Sequence, residues 1–546
     1  MGEFVSPCWL DQVRVRKDEG GDRGDGESAR SPLLEVPHDP HYRERSPRCP
    51  GCSGSTIILR VSLHRVDPRF VLPHRVRRAV VLDGLEEWRL GLASAGIEVS
   101  DASGEGEPPD VVVSPARLAA EARDTGARSI IVEGSLERSF RRGGYEARLL
   151  LLRPSRERPT LALPLDQPAP VSYALERWSV VDRRWKAARM RAARLLVTHG
   201  IFPSWASPVV TVATRSAEQP LFVRAAEELG VPTDATWFLT FGQGDALSRN
   251  AFQVFRAGSP RPEWILKFAR VPGYSERFDN DERGLRLARA AGDIIAAHAP
   301  GLVGRFDVDG VHASLETAAD GRRLRDVLVT PGNRSAKLRL IERIGEWILE
   351  LGRLTQTSPE ALSAERQRLR SDVIPRSHKL GARADLLDEL PPLPAVAQHN
   401  DLGTWNVVAE QGDFVVVDWE NVREAAFPLW DLLYFLADAF VLLDGPDTPE
   451  RRPARIARLF AGEAPSSPLL FSWVRRAVET AAVPPDAVGA VATLCWLSHS
   501  LSVSAHNVDL ATFTPGDPPR MHGIEGIATA WMAHPALGPR WRVWRG

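Results

Sequence analysis

Between Arg78 and Gly134 short apolar runs alternate with mixed stretches at helical spacing. "RAVVLDG" predicts a strand that stops at Gly84, and "LEEWRLGLASAGI" predicts an amphipathic helix that stops near Gly96. "DVVVSP" and "RSIIVEG" predict two further strands, with "ARLAAEARDTGA" as the helix between them. Such alternation favours a parallel sheet. "YEARLLLLRP" and "RPTLALPL" then read as an antiparallel pair. "RWKAARMRAARLLVTHG" reads as a basic amphipathic helix whose Trp185, Met190, Leu195 and Leu196 are expected to face a core.

From about residue 217 the pattern changes. "PLFVRAAEELG" predicts a short helix, and "TWFLTFGQGDALSRNAFQVFRAG" and "EWILKFAR" predict neighbouring strands. A helix at "DNDERGLRLARAAG" and strands at "VGRFDVDG" and "VHASLETA" follow. Beyond Arg322 the chain is mostly helical. The organisation expected is a disordered tail over 1–56 and an α/β domain over 57–215, then a sheet-rich lobe over 216–316 and a helical lobe over 317–546. Two lobes imply a cleft, where ligands bind. Parallel strands followed by an antiparallel pair resemble a Rossmann-like methyltransferase sheet. The first strand, however, leads into "LDGLEEW" and not into a Gly-rich turn, so a degenerate Rossmann-like domain without a cofactor is expected there.

Bulk properties narrow the partners. Formal net charge is −1, so no global field points to nucleic acid or an anionic membrane, and neither is expected as a partner. The four cysteines, Cys8, Cys49, Cys52 and Cys495, are too few for a disulfide scaffold; a reducing, cytoplasmic setting is expected. "CPGC" at Cys49 and Cys52, with His38 and His41 upstream, could be half a zinc site. No second such pair exists, and the Pro-, Arg- and Gly-rich surroundings favour the tail. Residues 1 to 30 are charged and lack an apolar segment, so no signal peptide is expected. The segment from Ala487 to Ala505 is long enough to span a bilayer. It carries His499 and several serines without a basic flank, and a buried helix is expected instead.

Chemistry concentrates in "VAQHNDLGTWNVVAEQGDFVVVDWENV", Val396 to Val422. Asp401 is followed five positions on by Asn406, and Asp418 comes twelve after that, behind the run "FVVV". Apolar runs on both sides predict a hairpin with polar residues at its ends. Asp401, Asn406 and Asp418 could then converge on one point.

"HNDLGTWN" resembles the catalytic loop of aminoglycoside phosphotransferases and choline/ethanolamine kinases, relatives of the protein kinases. "DWEN" stands where protein kinases have Asp-Phe-Gly, and "FPLWDLLYFL" resembles the family's Pro-x-x-Asp-Leu helix start. The resemblance covers about residues 235 to 546 and implies a two-lobed, protein kinase-like fold. It implies a phosphotransferase moving the γ-phosphate of ATP or GTP, with Mg²⁺, to a hydroxyl of a small molecule. Asp401 would take or orient the acceptor's proton. Asn406 and Asp418 would hold Mg²⁺, a hard cation that wants oxygen ligands. His399 and Asp431 would brace the loop.

In the upstream lobe the resemblance assigns Gly242 and Gly244 to a phosphate loop and Lys267 to the α/β phosphates. Glu282 would be the helix partner of Lys267, with Glu276 as competitor, and the backbone at Glu316 and Thr317 would meet the nucleobase. No role follows for Asn400, Glu420 or Asn421, beyond Glu420 as a further carboxylate near the metal. Glu410 and Asp413 are expected at a solvated hairpin tip. The alternative is a kinase-like nucleotide-binding or regulatory protein that has lost catalysis. The acceptor is left open, since the same loop serves choline, sugars and other alcohols. The helical lobe shows no acidic run suited to a polycation.

Overall fold

Strands β1 (Arg78–Val81), β2 (Glu98–Ser100), β3 (Val111–Pro115) and β4 (Ser129–Glu133) run parallel, in the spatial order β2-β1-β3-β4. Three of them lie where apolar runs predict them; β2 has no such run and forms the half-exposed edge. Val111, Val112 and Val113 are all fully buried, because apolar clusters cover both faces of the sheet. Phe70, Trp88 and Leu92 pack on one face, Phe140 and Ala122 on the other. The structure, a computed structural model, describes residues 68–101, 107–153, 160–178, 184–199, 209–242, 247–271, 273–382, 385–513 and 523–542. The expected tail, with Cys49 and Cys52, and Gly244 of the expected phosphate loop lie outside the described residues.

The antiparallel pair is β5 (Glu146–Arg153) with β6 (Leu161–Pro164), and β7 (Val209–Thr214) inserts between β4 and β5. The second half of the sheet comprises β8 (Thr236–Thr240), β9 (Asn250–Phe255), β10 (Trp264–Phe268), β11 (Leu302–Val308) and β12 (Val311–Thr317), all antiparallel. The two halves are one sheet. β6 pairs with β8 through Leu161↔Thr240 and Ala162↔Leu239, giving a twelve-stranded sheet from β2 to β11. Gln167 adds a side-chain tie by accepting from the Trp237 N–H at 2.7 Å. One apolar cluster runs from Val111 through Val210 and Trp237 to Leu315. The boundary expected between residues 215 and 216 therefore falls inside a continuous sheet and core.

Beyond β12 the chain is helical except around the site. β13 (Arg322–Arg323) pairs with β15 (Val407–Glu410), which forms a hairpin with β16 (Asp413–Val416). β14 (Val396–Gln398) pairs with β17 (Arg423–Ala426). The helix Arg334–Leu354 starts at an Asn333 cap that accepts from the Ser335 and Ala336 N–H groups at 2.9 and 3.3 Å. The helix Trp430–Leu443 is buried on every side up to Leu442, as expected for a helix that is apolar all round. It forms the axis of this lobe. The segment expected as a buried helix lies in Val488–Phe513, where Val491, Leu494, Cys495 and Trp496 are buried. No helix among the described residues is long and apolar enough to cross a membrane.

Candidate active site

The loop from His399 to Asn406 is held by two carboxylates of one helix. Asp431, in the first turn of Trp430–Leu443, accepts from the backbone N–H of His399 at 2.6 Å and of Asn400 at 2.8 Å. Gln398 ties the helix back by accepting from the Asp431 N–H at 2.7 Å. Burial pushes the Asp431 carboxyl up to about 7, and the two N–H bonds pull it back. Asp438 lies two turns further along the same face and accepts from the Thr404 N–H at 2.9 Å and from its hydroxyl. Arg452 secures Asp438 from behind at 2.5 Å. Sequence reasoning missed Asp438; its signal is an acid inside the otherwise apolar "LLYFLADAFVLL".

Asp401 and Asn406 come together on this frame. Asn406 Nδ2 donates to the Asp401 backbone carbonyl at 2.9 Å and to Oδ2 of its carboxylate at 3.1 Å. That orients the amide and leaves Asn406 Oδ1 buried without a hydrogen-bond partner. A buried lone pair of that kind fits a cation. No three His, Cys, Asp or Glu side chains gather as a metal cage among the described residues. Two protein oxygens are what a Mg²⁺ site completed by phosphates and water uses.

Asp418 sits in the left-handed region, at φ 72° and ψ 58°. Asn400 does likewise at φ 62°. Such backbone costs about 1–3 kcal/mol per residue and persists only where neighbours enforce it. For Asp418 the enforcing contact is Trp419, clamped against the helix Glu276–Ala290: a Cβ on Gly284 would come 2.6 Å from the Trp419 Cβ. His399 joins this turn to the loop by donating Nε2–H to the Val417 carbonyl at 3.1 Å, with its ring against Trp419. Burial lowers the His399 imidazole to about 4. Its ring signals should accordingly titrate below about pH 5 in a histidine NMR titration; a midpoint near 6.5 would mean an exposed ring.

The upstream lobe corrects one expectation. Lys267 Nζ reaches Asp281 at 2.8 Å and Glu316 at 2.8 Å, and not Glu282. Neighbours on a helix point about 100° apart, so only one of residues 281 and 282 can face the sheet. Asp281 shares the inner face with Phe278, Leu285 and Ala288. Glu282 lies one column over, on Arg305 at 2.9 Å and Arg286 at 2.5 Å. Glu276, the competitor, is exposed at the helix start. The Glu316 side chain is engaged as well. It stands opposite Ile265 in the β10–β12 ladder, diagonal to Lys267 on the same face. Burial raises its carboxyl to about 7 against the pull of Lys267, while Lys267 and Arg249 hold Asp281 down to about 2 despite its burial.

Gly242 has a structural role of its own. Its N–H donates to Asn250 Oδ1 at 2.8 Å, and a Cβ there would run into the carbonyl of Arg249. The missing side chain thus serves the loop's own crossing, and no phosphate is needed to explain it.

Arg249 was not anticipated. Its Nη1 meets Asp281 at 2.7 Å, and its Nη2 meets both Asp418 and, at 2.8 Å, Glu420. Arg277 holds the other oxygen of Glu420 at 3.3 Å. Three cations (Arg249, Lys267, Arg277) therefore face four carboxylates (Asp281, Glu316, Asp418, Glu420), all largely buried. Glu420 acquires a partner set that its sequence position alone did not suggest.

The hairpin tip is likewise only half solvated. Asp413 is exposed, but Glu410 is half-buried and paired with Arg177, which belongs to the helix Pro168–Arg177 ahead of the lobes. Tyr173 of the same helix donates to Asp320, just past β12, at 3.1 Å.

Residues 246–469 match the model of the phosphotransferase enzyme family. The resemblance to aminoglycoside phosphotransferases holds over that segment, which spans Arg249, Lys267, Asp281 and the whole of His399–Asp431. Solved structures similar to this chain include a choline/ethanolamine kinase family protein from Mesorhizobium loti, 19% identical over 54% of this chain and 87% of its own, at a TM-score of 0.31. Another is a glucosamine kinase bound to glucosamine, ADP and inorganic phosphate, 14% identical over 58% and 83%, at 0.32. A third is the bifunctional kinase-methyltransferase WbdD, 12% identical over 75% and 85%, at 0.25. No curated protein matches the chain.

Proposed function

We propose, for a chain whose residues 246–469 match a phosphotransferase family, that it moves the γ-phosphate of ATP or GTP to a hydroxyl of a small molecule. The observation that carries this reading is the Asp401–Asn406 pair set beside the Asp418 turn, with Asn406 Oδ1 buried and unpartnered. Asp401 orients the acceptor hydroxyl and takes its proton. Asn406 Oδ1 and Asp418 are the oxygens for Mg²⁺, which supplies charge neutralisation to the phosphates when bound. Lys267, fixed between Asp281 and Glu316, presents its ammonium to the α/β phosphates. His399, Asp431 and Asp438 keep the loop in place. Phosphoryl transfer asks for positioning and fixed charge more than covalent help, and rigid support of this kind supplies both.

Residues 57–215 are proposed as a degenerate Rossmann-like segment that extends the sheet, outside the family match. The acceptor is a hydroxyl-bearing small molecule of open identity. The reading is tested by thermal shift with ATP and GTP plus Mg²⁺, then by a hydroxyl-metabolite screen for nucleotide-dependent phosphorylation. Absence of both signals would remove it. One observation favours the alternative of a catalytically silent nucleotide-binding protein, namely that Arg249 holds Asp418. Turnover above the D401N background would dismiss that alternative.

A further inference from the structure

We propose that Arg249 is the resident counter-cation of the metal-site carboxylate, and that it yields Asp418 to the divalent cation when nucleotide enters. The inference rests on the reading of Asp418 as a metal ligand.

The guanidinium is placed by a fixed piece of chain. Arg249 ends the connection from β8 to β9, and its carbonyl crosses Gly242 so closely that no side chain fits there. Asn250, the next residue, accepts from the Gly242 N–H and locks the crossing. From this anchor the side chain spans from the sheet lobe to Asp418 and Glu420 beyond β16, and it lies over the Phe278 ring at 5.6 Å. It is 9% exposed.

A guanidinium has only donors, and a divalent cation takes only lone pairs. Both therefore compete for the Asp418 carboxylate, whose Oδ1 the guanidinium already holds. Retaining Arg249 on that oxygen would also set two positive charges side by side in a buried site. Without Arg249, Asp281, Asp418 and Glu420 would lose a shared counter-ion, with Lys267 and Arg277 left to face them and Glu316. The geometry lets the guanidinium give up one partner without leaving: Asp281 and Glu420 still hold it, on separate nitrogens. A short pivot then frees Asp418 while the charge stays in the cleft, where an arginine suits a phosphate oxygen. Arg249 thus keeps Asp418 neutralised in the free protein and makes metal binding depend on the nucleotide arriving with it.

The test measures Mn²⁺ affinity of the full chain without nucleotide, by electron paramagnetic resonance, for wild type, R249M, D418N and the double variant. R249M is expected to bind Mn²⁺ at least about tenfold tighter than wild type, and the gain should vanish in the double variant. If D418N still binds Mn²⁺ as wild type does once a non-hydrolysable nucleotide is added, the metal-site reading itself fails. If D418N loses Mn²⁺ but R249M gains nothing, only the role of Arg249 fails. Should R249M not fold, a crystal structure of the wild type with Mg²⁺ and a non-hydrolysable nucleotide decides. Metal on Asp418 with Arg249 more than about 4 Å away supports the exchange; a guanidinium still on Asp418 overturns it.

Discussion

Asp401→Asn is expected to lower kcat by about 10³-fold, within the 10²–10⁴ that a positioned general base contributes, while nucleotide affinity and melting temperature stay near wild type. The substitution keeps the shape and an acceptor oxygen for Asn406 Nδ2, whose 2.9 Å bond to the backbone carbonyl of residue 401 is untouched. What goes is the capacity to take a proton. The loop should not sag, because Asp431 and Asp438 hold it through backbone groups and Thr404, not through the side chain at 401. The measurement is steady-state kinetics beside calorimetric nucleotide binding. Wild-type turnover by the variant would take Asp401 out of the chemistry. Loss of nucleotide binding would show a structural role instead.

Asp281→Ala should be the most destabilising single change in the site. Asp281 is 2% exposed and is shared by Lys267 and Arg249, so its removal takes a buried carboxylate from both and leaves Lys267 to Glu316 and Arg249 to Asp418 and Glu420. Removing one member of a buried pair costs about 3–5 kcal/mol. Glu282→Ala removes half-exposed pairs with Arg305 and Arg286 and should cost under about 1 kcal/mol. Urea unfolding of the two variants side by side measures the contrast, and equal losses would contradict the helix phase described here. Nucleotide affinity should fall for Asp281→Ala alone, since Lys267 loses one of the two carboxylates that aim it.

That contrast also marks how far the chain could be read in advance. His399, Asp401, Asn406, Asp418 and Asp431 lie within a few turns of sequence, at spacings fixed by one loop and one hairpin, so their grouping is visible as a pattern. The partner of Lys267 is not, because choosing between residues 281 and 282 requires the rotation of a helix against a sheet, and both are acids. Arg249 is harder still: its contact with Asp418 spans 169 residues and two lobes, and nothing local distinguishes it from a surface arginine. Glu410 looked like part of a solvated tip because its cover, Arg177, comes from a helix far upstream. Most strands in both halves of the large sheet were legible from apolar runs, with β2 and β7 the exceptions, whereas the joining of the halves through β6 and β8 was not. Strand pairing between distant segments leaves no spacing in the sequence.

That junction has a practical consequence for anyone trimming the protein to its family-matched part. A fragment begun at residue 216 would leave β8 as a bare edge, its outward backbone groups at Leu239 and Thr240 stripped of β6. Trp237 would lose the glutamine that caps its N–H, and Glu410 its arginine. An exposed strand reading "TWFLT" is an adhesive surface that natural sheets avoid, so the shortened protein would be prone to stick to copies of itself. The upstream segment thus acts as a cover for the family-matched part, whatever else it does.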